Sequence, residues 1–213
     1  MNDYERKSIS SNIQITPKRD IVFKCIFGAK GNEGILKDFL ESILDIKIDS
    51  LTLDLATELL PDFYHVKKSR IDVRAKLFDG TEVNIEVQTD VLKYSEERCL
   101  QYWSKIYSNN LKEGEEYTDL KKTICIWILD GNVYKEFEDF HSKWRIMNEK
   151  YPNLNCFQQL EFHVIELNKL KKPDIMKVGE IKAEQKEFWL WFIDYGSEVL
   201  VNMIRRDGAF LAK

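Results

Sequence analysis

The chain of 213 residues carries 32 Lys and Arg against 36 Asp and Glu, a formal net charge of -4, with 44% apolar residues. That apolar share is ample for a buried core and argues against a disordered chain, while the length suits one large domain or a core with an appendage. The acidic balance argues against indiscriminate nucleic-acid binding, although Lys67, Lys68, Arg70, Arg74 and Lys76 supply the material for a local basic surface.

Met1 to Ser10 carry charges and no apolar run, and the longest continuous apolar stretch, Ile124 to Leu129, is far too short to span a bilayer. The expectation is a soluble, cytoplasmic protein without a membrane partner. Thr16-Pro17-Lys18-Arg19-Asp20 reads as a helix start, with Asp20 able to serve as its cap. Apolar Ile21, Val22, Phe23, Ile26 and Phe27 follow, and Gly28 stops the helix. After a loop from Gly28 to Gly34, the spacing of Ile35, Leu36, Phe39, Leu40, Ile43 and Leu44 predicts a second helix packed against the first. Leu51, Leu53 and Leu55 alternate with polar residues as a strand does, and Pro61 closes that region.

Two strands are then predicted over 70–78 and 81–88 around Asp79-Gly80, and a helix over 96–112, ended by Gly114. Thr123 to Leu129 is apolar on both faces, as a strand buried between layers requires, and Asp130-Gly131-Asn132 turns the chain away. Strands over 140–147 and 160–167 pair as an added edge. A helix over 184–206, apolar all round at Phe188 to Ile193, must dock on the core or on another subunit, giving a possible homo-oligomer. The division expected is a core over 1–172 and a helical extension over 173–213. Cys25, Cys99, Cys125 and Cys156 have no paired spacing, so buried free thiols are expected rather than a zinc site or disulfides. His65, His141 and His163 form no readable constellation.

The hairpin over 70–88 holds the chemistry. On its first strand Ile71, Val73, Ala75 and Leu77 share one face and Asp72, Arg74 and Lys76 the other; on its second, Val83, Ile85 and Val87 are the apolar set and Asn84, Glu86 and Gln88 the polar set. A single buried face requires odd residues to oppose odd ones. A two-residue Asp79-Gly80 turn would pair Phe78 with Thr81 and break that match, so a three- or five-residue loop with Gly80 left-handed, or a bulge, is predicted. The same register unites Asp72 with Glu86.

Two carboxylates so placed suit Mg2+ or Mn2+, which prefer oxygen ligands and leave room for waters and a substrate phosphate. The Val87 carbonyl is a further possible ligand, and Gln88 points into the same space, where it orients a water or a phosphate oxygen. A neutral amide cannot neutralise transition-state charge, so the cation or a nearby arginine must carry that work. The competing reading is an ordinary amphipathic hairpin, with Arg70, Arg74 and Lys76 forming surface ion pairs with Asp72 and Glu86.

The wider pattern bears on the choice. Arg19-Asp20 with Phe23-Lys24 and Phe27-Gly28, Phe39-Leu40, Arg70-Ile71-Asp72-Val73, Gly80, Asn84-Ile85-Glu86-Val87-Gln88, Arg98, Tyr102 and Gly114-Glu115-Glu116-Tyr117 together resemble the PD-(D/E)XK nuclease family transposases, the recombination-promoting nucleases, over about 16–170. The resemblance implies an α/β, restriction-endonuclease-like αβββαβ core with a mixed central sheet, extended here by C-terminal strands and a helix. It implies Mg2+ held by Asp72 and Glu86, and cleavage of DNA. Gln88 stands where the wider superfamily more often has lysine, and glutamine is common in this branch.

Asp20 is a candidate third acid for a water or second cation, or else a helix-end residue. Arg98 and Tyr102, four apart on one helix, are candidates to contact the scissile phosphate, with Arg74, or to hold Glu86; Tyr102 is also read as a core residue. The function expected is a metal-dependent DNA endonuclease of mobile-element, recombination or genome-defence type. The alternative is a catalytically weak nuclease fold serving as a DNA-binding or protein-assembly module.

Overall fold

A computed structural model describes residues 16–54, 58–59, 69–70, 73–154, 156–171 and 185–196. Two amphipathic helices come first, α1 (Asp20–Phe27) and α2 (Glu33–Leu44), each burying the stripe its spacing predicts: Phe23 and Phe27 from one, Leu36, Phe39, Leu40, Ile43 and Leu44 from the other. They meet through Phe27 and Phe39, whose ring centroids lie 5.1 Å apart. Gly28 ends α1, its N–H returning to the Lys24 carbonyl. The residue at the N-cap is Arg19, with no side-chain cap, so Asp20 is the first helical residue rather than the cap.

The described strands, in chain order, are β1 (Leu51–Asp54), β2 (Glu58–Leu59), β3 (Ser69–Arg70), β4 (Val73–Leu77), β5 (Glu82–Gln88), β6 (Thr123–Leu129), β7 (His141–Trp144) and β8 (Leu160–Glu166). Six of them form one mixed sheet in the order β1-β4-β5-β6-β8-β7, antiparallel at both edges and parallel where β6 lies between β5 and β8. The other two, β2 and β3, pair with Glu58 opposite Arg70, in the register that β1 and β4 hold with Asp54 opposite Arg74. Of the single first strand expected over 70–78, Arg70 is described in β3 and Val73–Leu77 in β4, and residues 71–72 lie outside the described set.

Parallel neighbours need a crossover, and α3 (Glu96–Ser108) supplies it between β5 and β6. Ser95 caps it by accepting from the Arg98 N–H, and it ends four residues sooner than its apolar spacing predicts, where the Asn109 and Asn110 N–H groups turn back to the Lys105 and Tyr107 carbonyls. The result is three layers. The odd face of β5 (Val83, Ile85, Val87) joins Ile124, Ile126 and Ile128 of β6 in a core with α1 and α2, while Trp127 and Cys125 on the other face of β6 pack with Cys99 and Tyr102 of α3. The order α1, β1, β4, β5, α3, β6 is the expected αβββαβ core, with α2 inserted and β8 and β7 added as the predicted antiparallel edge pair.

The described part of the last predicted helix is α4 (Gln185–Tyr195). Leu190 and Ile193 are buried in the same core as α1 and α2, and the Trp189 ring lies 5.7 Å from Phe27. Asp38 accepts from both Gln185 Nε2 and Trp189 Nε1, tying α4 to α2. Lys18 forms ion pairs with Asp194 and with Asp130 beyond β6. Burial lowers the Lys18 pKa, but its hydrogen bonds to Asp194 and Asp130 outweigh that and raise it overall. Of the four free thiols, Cys99 and Cys125 are buried as expected, whereas Cys25 and Cys156 are exposed, because each falls outside the face its element buries or in a loop. Among the described residues, no helix is long and apolar enough to cross a membrane.

Candidate active site at the end of the central hairpin

The β4–β5 turn has the odd length that the face-matching argument demands. Val73 opposes Ile85, Ala75 opposes Val83, and the Leu77 N–H donates to the Thr81 carbonyl, leaving Phe78, Asp79 and Gly80 as a three-residue loop. Gly80 takes φ +90°, and Asp79 steadies the turn by accepting from the Thr81 N–H. This register places Asn84, Glu86 and Gln88 together on the face that looks toward α3.

Glu86 is 3% exposed and sits opposite Trp127 across the β5–β6 ladder. A carboxylate so deep must lie beside donors or a cation to remain ionised. Its field reaches both neighbouring thiols: burial first, and then nearby carboxylates including Glu86, push Cys99 up to about 12 and raise Cys125 as well. These are inert packing thiols rather than nucleophiles.

Gln88 closes β5 and is half-buried. Its Oε1 accepts from Arg98 Nη1 at 3.1 Å. The guanidinium is itself held firmly, donating through Nη1 to the Lys93 carbonyl and through Nε to the Tyr102 hydroxyl, and lying 5.3 Å from the ring centroids of both Tyr102 and Trp127. Arg98 thus holds Gln88, a pairing that the spacing of Arg98 and Tyr102 on α3 did not identify. Tyr102 is buried, as its core reading anticipates, and also carries the arginine.

The remaining candidates are placed as follows. Asp20 is half-exposed and pairs with Lys24 at 2.7 Å, one turn along α1, on the helix layer that covers the odd face. Arg74 lies between two carboxylates, 3.2 Å from Asp54 and 3.3 Å from Glu82, with 12% of its side chain exposed, so its charge is already matched inside the sheet. Val87 pairs with Ile128 in the parallel ladder. Asp72 lies outside the described residues, as does His65.

The donor set suits a hard cation, since the Glu86 carboxylate and the Val87 carbonyl offer oxygen and neither sulfur nor imidazole stands with them as a ligand. Among the described residues, no group of three or more His, Cys, Asp or Glu is gathered closely enough to hold a metal ion. A cation here would need Asp72 as well as Glu86.

One constellation escaped the sequence. Glu161, His163 and His141 form a chain, with His163 Nε2 2.9 Å from Glu161 Oε1 and His163 Nδ1 2.8 Å from His141 Nε2; Lys122 and Lys143 each meet Glu161 at 2.9 Å. The signal was the pairing of the two predicted edge strands, which sets Lys143 opposite His163 and brings His141 within reach. This chain lies on the face away from Glu86, because Glu161 and His163 share parity with Ile165, a residue of the α1–α2 core.

No curated protein and no solved structure gives a significant match. The family model described as PD-(D/E)XK nuclease family transposase matches residues 17–208, running past the division expected at 172 and taking in α4. With that match over most of its length and the mixed-sheet architecture described above, the chain belongs to the PD-(D/E)XK nuclease family of transposases.

Proposed function

We propose that the protein is a metal-dependent DNA endonuclease of mobile-element, recombination or genome-defence type, with Asp72 and Glu86 as ligands of Mg2+ or Mn2+. The observation that carries the reading is the hairpin register, which buries Glu86 on the same face as an arginine-bound Gln88. Asp72 immediately precedes Val73, the residue paired with Ile85, and we assign it the position across from Glu86. Asp72, Glu86 and the Val87 carbonyl would hold the cation through oxygen.

When bound, the cation would supply charge stabilisation at the phosphate and lower the pKa of a bound water. Water oxygen attacks phosphorus, the bond to the leaving sugar oxygen breaks, and the protons released from water end on that oxygen and on solvent. Arg98 stands beside Gln88 and pairs with no carboxylate among the described residues, so it is assigned the substrate contact in preference to Arg74, whose guanidinium is occupied by Asp54 and Glu82. Tyr102 supports Arg98. Asp20, paired with Lys24 on the helix layer over the odd face, is assigned no part in the cation site.

The test is cleavage of supercoiled plasmid with Mg2+, with and without EDTA. Asp72→Ala and Glu86→Ala are each expected to lower the rate at least about 100-fold. Cleavage unchanged in the double variant would remove the assignment. The neutral Gln88 motivates a second reading, a DNA-binding or protein-assembly module on a nuclease fold. EDTA-insensitive DNA binding, with no cleavage under any divalent metal, would select it.

A further inference from the structure

The last strand of the sheet is β7, and among the described residues none pairs with its outer side. The Phe140 carbonyl accepts from the Glu166 N–H, so Phe140, Ser142 and Trp144 turn their main-chain groups toward β8, while His141 and Lys143 turn theirs outward. An open row of N–H and C=O groups is a template for another strand. A run of exposed apolar side chains begins in β7 and continues past it: Trp144, Ile146, Met147, Tyr151, Leu154 and Phe157 are each at least 42% exposed. Apolar exposure concentrated in this way marks an interaction surface.

Charge along the edge says what covers it. Glu136, Glu138 and Asp139 precede β7, whereas Lys143 and Arg145 lie in it and just beyond, so the edge is acidic at one end and basic at the other. An identical strand running the opposite way lays each end on its opposite. A phosphate backbone would meet the acids as well as the cations, so nucleic acid suits this edge less well than a second copy does. We propose that two copies of this chain pair through their β7 edges, antiparallel about a two-fold axis at Ser142, joining their sheets into one. This interface is independent of the nuclease reading above.

The position of the axis follows from symmetry and charge. Neighbouring pairs in an antiparallel ladder alternate between hydrogen-bonded and non-hydrogen-bonded, and a two-fold axis maps each pair onto one of its own kind, so one residue must stand opposite itself. With Lys143 or Arg145 at the axis, each cation opposes its own copy; with Trp144 there, Lys143 opposes Arg145. Like charges directly opposite are destabilising. An axis at His141 spends Asp139 on Lys143, whose Nζ already lies 2.9 Å from Glu161 Oε1.

An axis at Ser142 instead brings Asp139 of each copy to Arg145 of the other. Both are exposed, and no ion pair among the described residues engages either. In the same register His141 and Lys143 exchange main-chain hydrogen bonds between copies, and Ile146 and Met147 run beside Glu138 and Phe137 of the second copy.

Sedimentation of the full chain at about 100 µM tests the pairing, and a dimer is expected. Asp139→Arg and Arg145→Asp should each weaken it at least about tenfold, because symmetry makes every substitution act twice. An equimolar mixture of these two variants should recover the parent's association within about threefold, since every pair across the interface is again opposite in sign. In protein carrying Cys25→Ser and Cys156→Ser, Ser142→Cys should link the copies by a disulfide on mild oxidation, because a non-hydrogen-bonded pair brings its Cα atoms to about 4.5 Å. A parent that stays monomeric, variants that associate as tightly as the parent, or a mixture no tighter than its components would each overturn the proposal. So would an Arg145→Asp protein that loses binding of a labelled oligonucleotide while its self-association is unchanged.

Discussion

Glu161 fixes the protons of its two histidine neighbours. As an ionised acceptor held by Lys122 and Lys143 it requires a proton on His163 Nε2. With both imidazoles neutral, as their lowered pKa directions favour, His163 Nδ1 accepts and His141 Nε2 donates. Burial first, and then the electrostatic influence of His163 and of the positive Lys186 and Lys143, pushes His141 down to about 3; burial also lowers His163, against the opposing pull of Glu161. For Glu161 the hydrogen bonds from His163, Lys122 and Lys143 outweigh burial and hold the carboxyl below the usual range. The sign follows from these directions. A histidine whose folded pKa is depressed contributes stability that is present above the unfolded value of 6.5 and is lost as pH falls toward the folded one. Urea unfolding should show stability falling by about 1–2 kcal/mol between pH 7 and pH 5, with much of that slope gone in His141→Gln. A flat profile in the parent protein would contradict the neutral pair. Nothing in the local sequence around His141 or Glu161 announces this chain, since it depends on which residues two strands bring face to face. The same holds for Gln88 and Arg98, where the residue types were legible and the partnership was not.

The register of the central hairpin was legible because alternation is a strict constraint. Apolar odd residues on both strands cannot share a buried face unless the loop is odd in length, and Phe78-Asp79-Gly80 meets that demand with Gly80 at φ +90°. A side chain at 80 would be strained there, and its Cβ would also stand 2.9 Å from Lys121 Cγ. Gly80→Ala should cost about 1–2 kcal/mol in denaturant melts without changing the unfolding slope. A loss below about 0.3 kcal/mol would show that the turn tolerates another geometry. The helices α1 and α2 were legible for a related reason, since their stripes repeat every three and four residues. What was not legible is the placing of β8 between β6 and β7, parallel to the first and antiparallel to the second, a tertiary choice that periodicity does not encode.

On the scale of the whole molecule, the layers explain how one hairpin can serve both packing and chemistry. The odd face of β5 is closed by α1 and α2, and α4 buries Leu190 and Ile193 in that same core, so an apolar segment that sequence alone leaves open between core and partner has a place in the described fold. The even face receives α3, which brings Arg98 to Gln88 while Tyr102 and Cys99 pack beside Trp127. Glu86 lies between these roles, on a fully buried strand but on the side where a polar cluster gathers. If Glu86 and Asp72 together hold a divalent cation, anomalous scattering from crystals of the full chain grown with Mn2+ should show one strong peak within about 2.3 Å of a carboxylate oxygen from each residue, abolished in Glu86→Ala. Well-ordered Asp72 and Glu86 carboxylates pointing apart, with no manganese between them, would contradict it.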